Sequence, residues 1–370
     1  MVTGPDVETI AAARPLIGAE ERRAVDAVLA SGRLAQGPEV AAFEREFSAT
    51  LLDGRSVTAV NSGTAALHLA LHALGIGTGD EVVVPSFTFA ATANAVRLVG
   101  AVPVFVDIDP DTYCMAASSL SQAVTLRTRA IIPVHLYGHP ADMTALVSLA
   151  ETCSAVVVED AAQAHGARWS GSRVGTFGAA GVFSLYPTKN MTAAEGGMIA
   201  TSSGAVDRTV RLLRNQGMAE RYANEVVGFN ARMSDVHAAI GRAQLRKVTS
   251  WTAQRQANAA YLSGELRGVV LPTVHDQAEH VFHQYVIRVP SDRDGFAAAM
   301  RAEFGIETGV YYPTPVHRLA PFADAAQRTC LAETDRAAGQ VLALPVYPTL
   351  TLRELDRIVT AVNTLAGAGA

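Results

Sequence analysis

A chain of 370 residues is longer than a single hydrophobic core usually supports, so two lobes are expected. Apolar residues make up 49% and charged residues 18%, which excludes a disordered chain and leaves a compact α/β enzyme. The formal charge is −5 with acids and bases interleaved, so no basic stripe exists to neutralise a nucleic acid. Cys114, Cys153 and Cys330 are far apart, with no CxxC pair or clustered histidines beside them. They read as buried thiols in a reducing compartment, and no metal centre is expected. Met1–Arg14 contains Asp6 and Glu8 and lacks the basic-then-apolar pattern of an export signal. No apolar run reaches the ~18 residues needed to span a bilayer. A cytoplasmic protein with no membrane partner is the expectation.

From about residue 56, short β-branched apolar runs alternate with segments of helical period, the pattern of βα units around a mostly parallel sheet. The predicted strands are Val57–Val60, Glu81–Val84, Val102–Val106, Ala130–Val134, Ala155–Glu159, Gly181–Ser184 and Met198–Thr201. Thr64–Leu74, Thr88–Val99 and Met143–Thr152 place apolar residues three and four apart, predicting helices between them. Ser234–Ser263 reads as one long helical stretch. Val281–Val289 then reads as a strand, Gly295–Glu303 as a helix and Glu307–Tyr311 as a strand. The predicted division is a large domain, 1–250, and a small α+β lobe, 251–370, punctuated by Pro313, Pro315, Pro321, Pro345 and Pro348.

Three segments carry candidate chemistry. Asn61-Ser62-Gly63-Thr64-Ala65 lies between a predicted strand and a helix, where unpaired amides and the helix dipole make an anion site. Taken alone, an ordinary helix cap is the simpler account. In Val156-Val157-Val158-Glu159-Asp160, Asp160 ends an apolar strand at the sheet edge where open α/β folds bind ligands. It could pair with a protonated pyridine nitrogen, or equally serve as a structural ion pair or helix cap. Lys189, after Ser184-Leu185-Tyr186-Pro187-Thr188, is one of only two lysines in the chain; the other is Lys247. Partly desolvated, such an amine can form a Schiff base, which arginine cannot. A solvated surface lysine is the ordinary alternative.

The order of these segments resembles the fold-type I pyridoxal-phosphate enzymes, and within them the DegT/DnrJ/StrS-type sugar aminotransferases. The resemblance runs from Gly37-Pro38 and Phe43-Glu44 through Ser62-Gly63-Thr64, Pro85-Ser86-Phe87-Thr88-Phe89 and Glu159-Asp160-Ala161-Ala162-Gln163. It continues through Tyr186-Pro187-Thr188-Lys189-Asn190, Gly228-Phe229-Asn230-Ala231-Arg232-Met233 and Tyr312-Pro313-Thr314-Pro315-Val316-His317. It implies the α/β fold-type I architecture, with a mostly parallel central sheet flanked by helices and a smaller C-terminal lobe. Lys189 would carry pyridoxal 5'-phosphate covalently and Asp160 would pair with its ring nitrogen. Gln163 would contact the ring hydroxyl and Phe89 would stack on the ring. Gly63, Thr64, Ala65 and Ser184 resemble the phosphate cradle. Asn230 resembles a residue reaching the phosphate from a second subunit, which implies a homodimer. One departure is Ala194, where the family often has glycine before Glu195-Gly196-Gly197.

The implied reaction takes an amino group from L-glutamate and delivers it to a nucleotide-linked keto-deoxysugar, with the 4-keto acceptor favoured by Tyr-Pro-Thr-Lys-Asn. Tyr186, Tyr312 and His317 are candidate sugar contacts. Alternatives are a 3-keto sugar, a keto-cyclitol, or a non-catalytic sensor on the same fold. The dehydratase branch, where a histidine resembles the replacement for the lysine, conflicts with Lys189. A nicotinamide oxidoreductase lacks its glycine fingerprint here.

Overall fold

The computed structural model describes residues 9–328 and 330–368. Strands β1 (Ser56–Val60), β2 (Glu81–Pro85), β3 (Val102–Val106), β4 (Thr128–Ile131) and β5 (Val156–Asp160) alternate with helices. The short β6 (Arg168–Trp169) and β7 (Ser172–Arg173) follow, then β8 (Ala180–Ser184) and β9 (Gly197–Thr201). β10 (Met218–Glu220) and β11 (Ala223–Asn224) form a hairpin, and β12 (Ala278–Glu279) pairs with β6. β13 (Tyr285–Arg288), β14 (Ala326–Gln327) and β15 (Val341–Leu344) complete the set. The main sheet runs β1-β9-β8-β5-β4-β2-β3-β14. β9 is antiparallel to β1 and β8, and the remaining pairings are parallel.

Helices cover both faces of this sheet, which explains why its strands are apolar throughout. Val82 and Val84 of β2 point into one core with Leu67, Leu71, Ala93 and Val96, from helices Gly63–Ala73 and Ala91–Leu98. Val83, between them, faces the opposite core with Leu120, Met143 and Leu146, from helices Ala117–Ala123 and Met143–Thr152. Phe43 and Phe47 of helix Pro38–Leu51 fill a third core against Phe183 and Met198. A fourth core joins β13 and β15 to helices Val248–Glu265, Arg293–Phe304 and Leu352–Ala368 through Leu262, Ile287, Met300, Leu342 and Ile358. No described helix is long and apolar enough to cross a membrane.

The structure departs from the sequence expectation at several places, among them the strand expected over Val281–Val289, which is only Tyr285–Arg288. The strand expected to run to Val134 ends at Ile131, because Pro133 has no N–H for the ladder; its carbonyl accepts the Asp160 amide at 2.9 Å. The long helix expected over 234–263 is two, Asp235–Leu245 and Val248–Glu265. At the break Lys247 turns to donate to Glu21 Oε1 at 2.7 Å. Glu307–Tyr311 contributes only a bridge of Gly309 to Ala343 instead of a strand, as its backbone turns toward Tyr312 and Pro313. The cysteines were expected to be buried, yet only Cys114 is: Cys153 is half-buried at a helix end and Cys330 is exposed in a loop.

Candidate active site

β5 places Asp160 at the carboxyl end of a central strand, and the residue beneath fixes that end. The Glu159 carboxylate accepts the amides of Gly175, Phe177 and Gly178 at 2.6, 2.7 and 2.8 Å and lies 3.1 Å from His135 Nε2. Asp160 is 5% exposed. Its Oδ2 accepts from Thr92 Oγ1 at 2.9 Å and its Oδ1 from the Ala162 amide at 3.2 Å. Burial pushes its pKa up; the hydrogen bonds and the charge of Lys189 oppose the rise.

β8 leads into the turn that carries Lys189, whose amide donates to Tyr186 O at 3.0 Å. Asn190 pins the turn from behind, donating to Val281 O at 3.0 Å and meeting His283 Nδ1 at 3.1 Å. Lys189 Nζ makes no hydrogen bond to a described residue. Burial brings its pKa down to about 8, against the opposing pull of Asp160. A fraction of the amine is therefore neutral, and nucleophilic, near pH 7.

Helix Gly63–Ala73 begins beside β8. Ser62 caps it, its Oγ accepting from the Ala65 amide at 3.1 Å, so that donor is already engaged. The amides of Gly63 and Thr64 bond to no described residue and remain open to an anion. Gly63 abuts Ser184 so closely that a Cβ at position 63 would lie 2.9 Å from the Ser184 Cβ. The open amides of Gly63 and Thr64 thus start the helix against Ser184, while the Ala65 amide is taken by Ser62.

Gln163 is held at both ends: its Oε1 accepts the Tyr137 amide at 2.7 Å and its Nε2 donates to the Tyr312 hydroxyl at 3.0 Å. One Nε2 hydrogen remains available. Phe89 is 61% exposed, with its ring 6.1 Å from that of Tyr312. A large flat ring left open beside buried polar groups suits a stacking surface. Tyr186 is half-exposed after β8. His317 faces Ser86, with Nδ1 2.7 Å from Ser86 Oγ, which occupies one of its ring nitrogens. Asn230 is exposed and pairs with Asn215 at the root of the β10–β11 hairpin. Ala194 adopts φ 65°, a conformation that costs a residue with a Cβ ~1–2 kcal/mol and explains why glycine suits that position.

A cleft opens beside Lys189, bounded by Arg14, Trp251, Arg255, Tyr311 and Tyr347 among others. Among the described residues, no aspartate or glutamate lines it. Among the described residues no cluster of three or more His, Cys, Asp or Glu could hold a metal ion. Three features missed by sequence reasoning are Thr92, Arg255 and His283. Thr92 lies in a predicted helix with no motif of its own, and the other two reach the cleft only through long-range folding.

The donors present fit pyridoxal phosphate: an unpartnered lysine amine, a buried carboxyl, open helix amides against a serine, and an exposed aromatic face. A fold of this kind with such a site defines a pyridoxal-phosphate-dependent aminotransferase. Residues 15–363 match the model of the DegT/DnrJ/EryC1/StrS aminotransferase family, and the chain belongs to that family. It is 42% identical over 353 residues to dTDP-3-amino-3,4,6-trideoxy-alpha-D-glucose transaminase from Streptomyces venezuelae, covering 94% of this chain and 92% of that one. It is 44% identical over 310 residues to UDP-N-acetyl-3-dehydro-alpha-D-glucosamine 3-aminotransferase from Acidithiobacillus ferrooxidans, covering 83% of each. The structure of NtdA from Bacillus subtilis with bound cofactor PMP superposes at TM-score 0.88 with 31% identity, covering 95% of this chain and 83% of that one. The protein is a sugar aminotransferase that uses pyridoxal phosphate.

Proposed function

We propose that the protein transfers the amino group of L-glutamate to the ketone of a nucleotide-linked deoxysugar, with a 3-keto acceptor as the leading reading. The observation that carries the transfer is the lone amine of Lys189, set near the buried Asp160 and beside a cleft whose described lining holds Arg14 and Arg255 but no carboxylate. A cleft whose described lining holds cations and no carboxylate suits substrates that are both anionic, a dicarboxylic amino acid and a diphosphate-linked sugar. The 3-keto preference draws on the names of the two relatives, both of which concern 3-amino sugars. The Tyr186-Pro187-Thr188-Lys189-Asn190 segment favours the competing 4-keto reading.

In this proposal Asp160 would pair with the ring nitrogen, with Thr92 and the Ala162 amide holding its oxygens in place. When bound, the cofactor supplies the electron sink for the transfer. Lys189 Nζ takes the proton from the donor's amine-bearing carbon and later returns one to the sugar carbon. Gly63, Thr64 and Ser184 would hold the phosphate, Gln163 the ring hydroxyl and Phe89 the ring face. Tyr186, Tyr312 and His317 are assigned to the sugar, and the division into lobes of 1–250 and 251–370 would frame the cleft between them.

We further propose that two chains pair, bringing Asn230 to the partner's phosphate site. The hairpin arm supports this: Tyr222 is 81% and Val227 88% exposed, with Val226 and Phe229 exposed beside them. The decisive experiment incubates holoenzyme and L-glutamate with thymidine-linked 3-keto-6-deoxyglucose and, separately, with its 4-keto isomer. The expected result is 2-oxoglutarate and a 3-amino sugar by mass spectrometry. Amination of the 4-keto isomer alone would overturn the 3-keto assignment.

A further inference from the structure

Three arginines of the described chain are buried to more than nine-tenths, and two have carboxylate partners. Arg214 donates to Glu44 at 2.5 Å and Arg293 to Asp294 at 2.6 Å. Arg255, 8% exposed on helix Val248–Glu265, has none among the described residues. Its Nη1 donates to the carbonyls of Phe282 and His283 at 3.2 and 3.3 Å, which fixes the plane of the guanidinium. Its Nε is buried without a partner, and its Nη2 donates to no described residue. Burial lowers its pKa to about 10 with no acid opposing the shift.

A buried cation lacking a counter-ion is costly, because desolvation is not repaid. It persists where an anion arrives to complete the pair. Arg255 lines the same cleft as Lys189, and His283, whose carbonyl it binds, reaches toward Asn190 next to that lysine.

We propose that Arg255 anchors a carboxylate of the amino donor, the guanidinium holding the acid end while the amine lies toward Lys189. The assignment rests on the reading of L-glutamate as donor. A nucleotide diphosphate, flanked by sugar and nucleoside, is bulky for a side chain only 8% exposed, and Arg14, which lines the same cleft, is the exposed cation. The planar fork of arginine suits a carboxylate.

The test uses holoenzyme and two probes: L-glutamate, followed by bleaching of the cofactor absorbance, and glutarate, a dicarboxylate with no amine, followed by calorimetry. Arg255→Gln is expected to raise both dissociation constants at least ~10-fold, with cofactor content and melting temperature little changed. A folded variant that binds both probes within about twofold of wild type overturns the proposal. If Arg255→Gln does not fold, Arg255→Lys decides, since it keeps the charge but loses the fork: weakened glutarate binding supports the anchor, and unaltered binding overturns it. A wild-type holoenzyme that L-glutamate fails to bleach would instead strike the donor reading, and glutarate would still report on Arg255.

Discussion

A single methyl group at position 63 is expected to open the anion site without unfolding the chain. The Cβ of Gly63→Ala would meet Ser184 Cβ at 2.9 Å, Oγ at 3.2 Å and Cα at 3.4 Å. Ser184 cannot retreat, because it belongs to β8 and is paired with Gly197 of β9. The first turn of helix Gly63–Ala73 must therefore tilt, carrying the open amides of Gly63 and Thr64 away from Ser184. Overpacking of this kind costs ~1–3 kcal/mol, against a gain in helix propensity of up to ~1 kcal/mol for alanine over glycine. Net stability should change little. Hydrogen bonds to a charged phosphate are each worth ~1.5–3 kcal/mol, so the loss of one should raise the cofactor dissociation constant ~10- to 100-fold. The assay is fluorescence titration of apoenzyme with pyridoxal phosphate, run beside thermal melting of the same samples. The double variant Gly63→Ala/Ser184→Gly removes the clash and should regain part of the lost affinity. Cofactor binding by Gly63→Ala within about twofold of wild type would refute the assignment of this helix start to the phosphate.

Thr92→Val removes the hydroxyl that donates to Asp160 Oδ2 and should push the Asp160 pKa further up. A hydrogen bond to a charged group is worth ~1.5–3 kcal/mol, so kcat should fall ~10-fold or more at little change in KM, with Thr92→Ser restoring most of it. Glu81 is gripped by Arg328, Thr125 and Arg127, which hold its pKa at about 2, the Arg328 hydrogen bond contributing most. Its folded pKa is depressed, so its contribution is full above about pH 5 and is lost as the pH falls toward 2. The amount is at most about 3 kcal/mol, since the exposed Arg127 is screened. Denaturation at a series of pH values should show Glu81→Gln destabilised at neutral pH, and the gap to wild type closing in acid.

The motifs that carry the chemistry are local, and for that reason they are legible in the chain alone. An acid ending an apolar strand, a small-residue turn before a helix and an isolated lysine after another strand each declare themselves within five or six residues. Their order was enough to suggest the cofactor and the family. Element boundaries were less legible where one residue overrode the period, as Pro133 does by shortening β4 and Lys247 by turning toward Glu21 at the break in the long helix.

The amino-acid sequence by itself determined the βα alternation, the apolar character of the central strands and the identity of Asp160, Lys189 and the Gly63 turn. Hydrophobic period and turn chemistry act over a few neighbours, so they are written along the chain. Only the tertiary structure decided that Gly63 presses on Ser184, that Thr92 donates to Asp160 across 68 positions, and that Arg255 lies buried without an acid beside the cleft of Lys189. Those relations depend on which faces of distant elements meet. Packing sets that choice, and no local pattern encodes it.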